Sequence, residues 1–432
     1  MLARRASLWL VAAIGAGAAV AFAWNWSASS YRPILRSDPL GYAAYLPATV
    51  VEHDPSLRTL AAHHYGDDSV ALRTDGLDRD PSTGEVVDKY GAGVAVAELP
   101  MFLVGHEVAV AGGVPADGYS NAEQGFTAFS GVLAGILGLL FLRALLLRVF
   151  TPGVALAALA CTCLGTSLFD YMGYDSGFSH SFSFAAVGAT ALAAVRWRER
   201  PNSLARALAT GAAAGFVVLL RPSNAVAVAP LVLLGVTSRD ALIGRMHAGW
   251  SHRRELLGAV VAAVGVFAPQ LLLWHAETGR WLISPYPADE GFSPLHPNLG
   301  ALFSWDPHGL LPYAPVLVLV VPGLVLLWRS HREWFWPAAV GLGAQAYVIA
   351  TWHAWWFGHA FGQRGFVDVA AYFGIALAAC FAALRAPLAR LAVGGLAAAL
   401  TATTVLGLIA YWRGRIPLDG IDAAGYVRAI LG

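Results

Sequence analysis

Long apolar runs, each near the ~20 residues that a membrane-spanning helix needs, recur along the whole chain and are separated by short polar stretches. They predict eleven spanning helices, at about 7–25, 122–147, 152–170, 178–196, 204–220, 223–237, 255–275, 312–328, 334–352, 365–384 and 391–412. No run shows the roughly ten-residue alternation of an outer-membrane barrel. The first run, with Arg4 and Arg5 before it and AFA at its end, also has the outline of a signal peptide. Retaining it as a helix gives the better topology, with an inner N-terminus.

The charged positions follow the same pattern. Arg4, Arg5, Arg143, Arg148, Arg196, Arg198, Arg200, Arg206, Arg239, Arg245, Arg253, Arg254, Arg329, Arg332, Arg385 and Arg390 all fall at inside ends or loops, 16 of the 28 basic residues, as the positive-inside rule requires. Of the 27 acidic residues, only Glu199, Asp240, Glu255 and Glu333 fall there. Carboxylate chemistry is therefore expected on the outer side. One segment decides this topology: a span at 91–112 would put Arg143 and Arg148 outside and invert every later loop. Glu98 and Glu107 interrupt that segment, Pro100 breaks it, and Gly91, Gly93 and Gly105 loosen it. It is predicted as an interfacial or re-entrant helix pair within a long first outer loop, 26–121. A second long outer loop is expected at 276–311, a short one at 353–364, and residues 1–432 form a single integral membrane domain.

Composition agrees. The chain is 57% hydrophobic and 13% charged, with mean hydropathy +0.58, whereas about a quarter of the residues of soluble domains are charged. The formal net charge of +1 gives no reason to expect a nucleic-acid partner. Cys161, Cys163 and Cys380 lie within predicted helices and read as small apolar residues, not as disulfide partners or metal ligands. Walker, Rossmann and HExxH patterns are missing.

Polar residues that exceed structural need cluster at outer helix ends. RSDPLGYAAYLP, 36–47, offers Asp38 as a general base with Tyr42 and Tyr45 to stack on a sugar or anchor at the interface. The plainer account is an Asp-Pro turn with interfacial aromatics. Asp88, Lys89 and Tyr90 follow, and Lys89 is the only lysine in the chain. A compact ammonium suits a phosphate oxygen where a forked guanidinium would not fit, although one lysine also survives by chance. FDYMGYDSGFSHSFSF, 169–184, brings Asp170, Asp175 and His180 together. Helix capping accounts for Asp175, but a histidine one turn inside an apolar helix needs a partner or a purpose. Arg221, in RPSN, is explained by snorkelling. SWDPHGLLPYAP, 304–315, adds Asp306 and His308, and WHAWWFGHAFGQRGFVD, 352–368, crowds His353, Trp355, Trp356, His359, Arg364 and Asp368 into one loop. An aromatic belt accounts for the tryptophans alone. The remainder suits an anionic, partly apolar ligand, and the histidine spacing matches no standard metal site.

These segments carry a resemblance. A first helix, an outer loop with an early aspartate, and interfacial helices introduced by Lys89, Tyr90 and glycines resemble the GT-C glycosyltransferases that use polyprenyl-phosphate sugars. Their members include the dolichyl-phosphate-mannose mannosyltransferases and the lipid A aminoarabinose transferases. Ser179-His180, RPSN at 221–224, HGLLPYAP at 308–315 and FGQRGFVD at 361–368 are similar to bacterial members, in the same order along nearly the whole chain. The resemblance implies an all-α, GT-C-like membrane protein of a bacterial inner membrane with its active site extracytoplasmic. It implies Asp38 as catalytic base and Lys89 and Arg364 as donor-phosphate contacts; the polar clusters themselves add Tyr42, Tyr45, Tyr90, Asp175, His180, Asp306, His308, His353 and Trp356 as a wider substrate-binding set. Many relatives pair two acids where this chain has Asp38-Pro39, and some carry a soluble C-terminal domain that this chain lacks. The departure leaves metal dependence open: no cofactor is required, and a divalent cation is compatible.

The chemistry follows without the family. A sugar hydroxyl needs a carboxylate to take its proton as it attacks the anomeric carbon, and a lipid phosphate leaves as an anion that cations stabilise. One displacement inverts the anomeric centre. The lipid tail would lie between helices and the segment 91–112, and the acceptor would be an envelope glycan, lipid or protein. Two rivals remain: a secondary transporter or flippase, which would show internal repeats and mid-membrane helix breaks, and a non-catalytic envelope scaffold, which would not need Asp38.

Overall fold

The computed structural model describes residues 2–28, 33–66, 68–287 and 289–432. Residues 29–32, 67 and 288, which fall in the two long loops expected from the sequence, lie outside the described residues. The described chain is mostly helical, and the eleven expected spans fall in regions that are helical in whole or in part. They correspond to α1 (Leu2–Ala28), α6 (Asn121–Val149), α7 (Pro152–Leu164) with α8 (Leu168–Met172), α9 (Ser179–Glu199), α10 (Leu204–Leu220), α11 (Ala225–Val228), α13 (Arg253–Thr278), α16 (Val320–Ser330), α17 (Arg332–Thr351), α18 (Ala370–Ala382) and α19 (Pro387–Trp412). The first outer loop holds α2 (Asp38–Ala43), a π-helical turn at Pro47–Val51, α3 (Arg58–Tyr65), α4 (Ser69–Thr74), the antiparallel hairpin β1 (Leu77–Arg79) and β2 (Val86–Asp88), and α5 (Gly93–Ala111). α12 (Arg239–Ser251) precedes α13, α14 (Gly300–Phe303) and α15 (Leu310–Tyr313) sit in the second long loop, and α20 (Ala423–Leu431) ends the chain.

Several expectations need correction. Among the described residues, six helices are both long and apolar enough to cross a membrane, and one of them is Gly93–Ala111, which the sequence reading kept out of the span count. The run 152–170 is two helices, because Gly165-Thr166-Ser167 interrupts it. The run 223–237 is a short α-helix between 3-10 turns that begin at Pro222 and next to Pro230. Residues 91–112 form one helix instead of a pair. Pro100 lies inside α5; a proline there removes one N–H bond, here to the carbonyl four residues back, and tertiary packing carries the helix past that loss.

Small residues set how closely the helices approach. A Cβ on Gly211 or Gly215 of α10 would run into the backbone of Ala259 or Ala263 of α13, so the two helices meet through the small-residue spacing typical of membrane helix pairs. Gly131, Gly135 and Gly138 of α6 give the same closeness to Ser176, Met172 and Phe184. Every residue from Ala370 to Cys380 is buried, which makes α18 the central helix and seats the 3-10 turn before it, Arg364–Val369, in the protein interior.

The position of α5 follows from its ends. Gly91 and Gly93 abut the backbone of Leu219 and Leu220 at the end of α10, while Gly105 abuts Ala122 and Glu123 in the first turn of α6. His106 Nδ1 lies 2.8 Å from a Glu123 oxygen, and Glu123 also closes a capping box with Ser120. α6 and α9 run in the same direction, since Gly131 meets Ser176, Gly138 meets Phe184 and Gly188 meets Phe141. α10 runs back from α9, so the start of α6 and the end of α10 share one end of the molecule. α5, about 28 Å long at 1.5 Å per residue, joins those two helix ends. The arginine-rich turns lie at the opposite end, where Arg148 and Arg206 both reach Glu199.

Candidate active site

Asp38 opens α2, with Pro39 in the second helical position and Ser37 before it at positive φ (55°). That turn aims the carboxylate at two partners from distant parts of the chain. Tyr90 Oη donates to Asp38 Oδ1 at 2.6 Å, and Arg364 Nη2 donates to Oδ2 at 2.6 Å. Tyr90 is held by glycines: a Cβ on Gly41 would stand 2.7 Å from its ring, and one on Gly76 (φ 87°) would also collide with it. Asp88, at the end of β2, accepts from the Tyr90 backbone N–H at 2.8 Å. Tyr42 packs its ring 4.3 Å from that of Tyr90 and accepts from Ser179 Oγ at 3.1 Å. Asp38 keeps 22% of its side-chain surface open and Arg364 10%, so the pair is only partly covered.

Cations dominate the surroundings. Burial pushes the Asp38 carboxyl up, but Arg364, the Tyr90 hydrogen bond, Lys89 and Arg221 together outweigh it and hold the group below its ordinary value. Burial, and then the Asp38 charge, push the Tyr90 hydroxyl well up, so it remains a donor. Lys89 Nζ sits 3.3 Å from Glu290 and 5.4 Å from the Tyr90 ring centre. Arg364 lies over the Phe178 ring at 4.7 Å. Phe357, itself in left-handed backbone (φ 58°), lies 5.9 Å from Arg364 and 5.6 Å from Arg221.

Arg221 was explained from sequence by snorkelling, and that expectation is corrected here. Its backbone is extended at the end of α10, and its Nη1 lies 3.4 Å from Asp368 Oδ2. The other Asp368 oxygen lies 2.8 Å from His180 Nδ1, and both His180 and Asp368 are buried. Thus His180 has its partner, 188 residues away, and the pair backs an arginine whose charge reaches Asp38.

The remaining expected residues separate from this centre. Tyr45 donates to Glu277 at 2.6 Å. Asp175 pairs with Arg36 at 3.2 Å, while Asp170, grouped with it in the sequence, accepts instead from Trp412 Nε1 at 2.6 Å. His308 is buried, with its two ring nitrogens facing the backbone carbonyls of Asp419 and Trp356; burial lowers its pKa to about 4, so the neutral ring donates to one of the two. Asp306 and His353 are exposed, and His353 accepts from Gly291 N–H. Trp356 meets Trp355 edge to face at 5.7 Å. Among the described residues, no three His, Cys, Asp or Glu side chains gather as a metal donor set.

The helix-rich architecture, its long apolar helices and the extended first loop carrying an acid define the class of the fold, that of a multispanning helical membrane protein. Among the solved structures that it resembles are two of ArnT from Cupriavidus metallidurans. The apo form matches with TM-score 0.50 and 15% identity over 98% of this chain and 76% of that chain. The form bound to undecaprenyl phosphate matches with TM-score 0.52 and 15% identity over 98% and 73%. No protein-family model matches the chain, and no curated protein sequence does.

Proposed function

We propose that this protein is an inverting glycosyltransferase that takes a sugar from a polyprenyl-phosphate donor and places it on an envelope glycan, lipid or protein acceptor at the outer face of a bacterial inner membrane. The observation that carries this reading is the junction of Asp38, Tyr90 and Arg364, an acid and a cation 326 positions apart that meet while both stay partly exposed. Its fold likeness to a protein crystallised with undecaprenyl phosphate supports the choice of donor. The outer-face assignment is supported by the gathering of arginines at the end away from Asp38, since inner loops concentrate them.

In this account Asp38 takes the acceptor hydroxyl proton as that oxygen attacks the anomeric carbon, and the bond to the lipid phosphate breaks. A carboxylate clamped by a guanidinium is a weak base, so the resting pair is a guarded one. The donor phosphate competes for Arg364, and its withdrawal from Asp38 strengthens the base when substrate is present. Lys89, near the same junction beside Glu290, and Arg221, held by Asp368 with His180 behind it, supply further positive charge for the departing phosphate. Three cations around one leaving group make a metal unnecessary for this step, and transfer is expected to persist with EDTA. α5, which joins the ends of α6 and α10, is the interfacial element against which the lipid tail enters.

The direct test supplies radiolabelled polyprenyl-phosphate sugars to membranes containing the wild type, Asp38→Asn or Lys89→Ala. Label transfer is expected from wild type alone at full rate, with Lys89→Ala chiefly raising the donor concentration needed. Uptake of a solute into sealed vesicles, without transfer, would instead establish transport.

A further inference from the structure

α12 has no described side chain buried. Leu242 and Ile243 are exposed at 40% and 42%, Met246 at 70% and Trp250 at 77%. At about 100° per residue these four fall within roughly a 100° arc, which Arg239 enters at the first turn, so the apolar face runs from Leu242 to Trp250 with an arginine at its N-terminal edge. A thirteen-residue helix of this kind is marginal in water without packing, so something covers that face.

Its position says what. Arg245 of α12 donates to the Leu234 carbonyl, and Gly235 beside it receives Arg198 against its Cα and donates to the Glu333 carbonyl at 2.9 Å. α13 leaves α12 and ends at Glu277 near Tyr45, so α12 lies at the end opposite Asp38. Arg239, Arg245, Arg253 and Arg254 lie on or just after the helix, against Asp240 and Glu255. A basic helix with an apolar stripe that includes a tryptophan matches the chemistry of a lipid leaflet carrying negative headgroups.

We propose that α12 is an in-plane membrane anchor, with Leu242, Ile243, Met246 and Trp250 entering the boundary between headgroups and acyl chains and the neighbouring arginines holding anionic lipid headgroups. This is independent of the catalytic reading, because α12 contributes no group to the Asp38 site.

The test uses the full chain in nanodiscs of phosphatidylglycerol and phosphatidylcholine in equal parts, with spin labels at Met246→Cys or Gly244→Cys. The native Cys161, Cys163 and Cys380 are buried, and a Cβ at residue 244 meets open space. The label at 246 is expected to relax with oxygen and the label at 244 with an aqueous nickel chelate. Nickel access at both positions, or immobilisation of the 246 label away from both reagents as under a protein partner or second copy, would overturn the anchor. Lipid retained on the purified wild type is expected to be several-fold enriched in phosphatidylglycerol, and Arg239→Gln/Arg245→Gln/Arg253→Gln/Arg254→Gln to bring it near parity. Absence of enrichment in the wild type, or enrichment unchanged in the variant, would overturn the headgroup assignment.

Discussion

Asp38 has to be both held and available, and the contact with Arg364 makes that tension measurable. Because Asp38 lies below its ordinary value of 3.8, it is ionised at neutral pH, and activity dependent on it should fall only as pH drops through that low range. In Arg364→Gln the largest remaining influence is burial, which favours the neutral acid, so the acid limb of the kcat/KM profile should move to higher pH. The donor-bound wild type should shift the same way, giving a higher acid limb in kcat than in kcat/KM; superimposable limbs would contradict the exchange of Arg364 between acid and phosphate. Asp368→Asn should weaken undecaprenyl phosphate binding about tenfold, the loss of roughly one charge-assisted hydrogen bond. In an Arg221→Gln background the same change should add little, and additive losses in a binding titration would mean that Asp368 is structural only. Asp38, Lys89 and Arg364 stand out in the sequence because each is a polar residue beyond what its helix end requires, and the structure brings Arg364 to Asp38. Arg221 does not stand out: an arginine at a span end has an adequate interfacial explanation, and its aspartate lies 147 residues further on. His308 lies apart from Asp38, buried against the backbone of Asp419 and Trp356, a placement that its sequence neighbours do not announce.

At the scale of elements, two glycines set close approaches on which the proposed site depends, Gly41 beside Tyr90 and Gly93 against the end of α10. Gly41 lies on α2, three residues after Asp38, and a methyl there would strike the Asp75 carbonyl and the Tyr90 ring. Gly41→Ala should therefore lower transfer by at least tenfold while leaving Asp38 chemically intact, with crowding of this kind costing about 1–3 kcal/mol; unchanged transfer together with an unchanged melting temperature would argue that Tyr90 is not needed where it stands. Gly93→Val should act on the other element, prising α5 from the end of α10 and raising the donor concentration needed more than it lowers kcat, as read from steady-state kinetics. The helices themselves were plain from hydrophobic run length, whereas their interruptions were not. Pro100 was expected to break α5 and does not, while Gly165-Thr166-Ser167 divides a run that read as continuous. Apolar composition fixes that a segment is helical in lipid, but tertiary contacts decide where backbone hydrogen bonding lapses. The β1–β2 hairpin, which delivers Asp88, Lys89 and Tyr90, had too few residues to announce itself.

For the whole molecule, the sidedness inferred from arginines and the location of the polar site agree with one arrangement: acids and aromatics at one end, arginine-rich turns at the other. Such segregation is what a transferase working on one face needs, and a carrier with a site at mid-membrane does not. The likeness to ArnT at 15% identity fits a fold that is held by run length and small-residue contacts, which many sequences satisfy, with specificity left to the loops. The sugar and acceptor are accordingly the least legible features, because no loop side chain named here distinguishes one hexose or pentose from another. The most direct measurement is transfer of label from a radiolabelled polyprenyl-phosphate sugar in membranes, comparing wild type with an equally abundant, correctly folded Asp38→Asn protein. The account predicts transfer by the wild type and a loss of about 10²- to 10⁴-fold in Asp38→Asn, with undecaprenyl phosphate still bound; equal transfer by both proteins would contradict it.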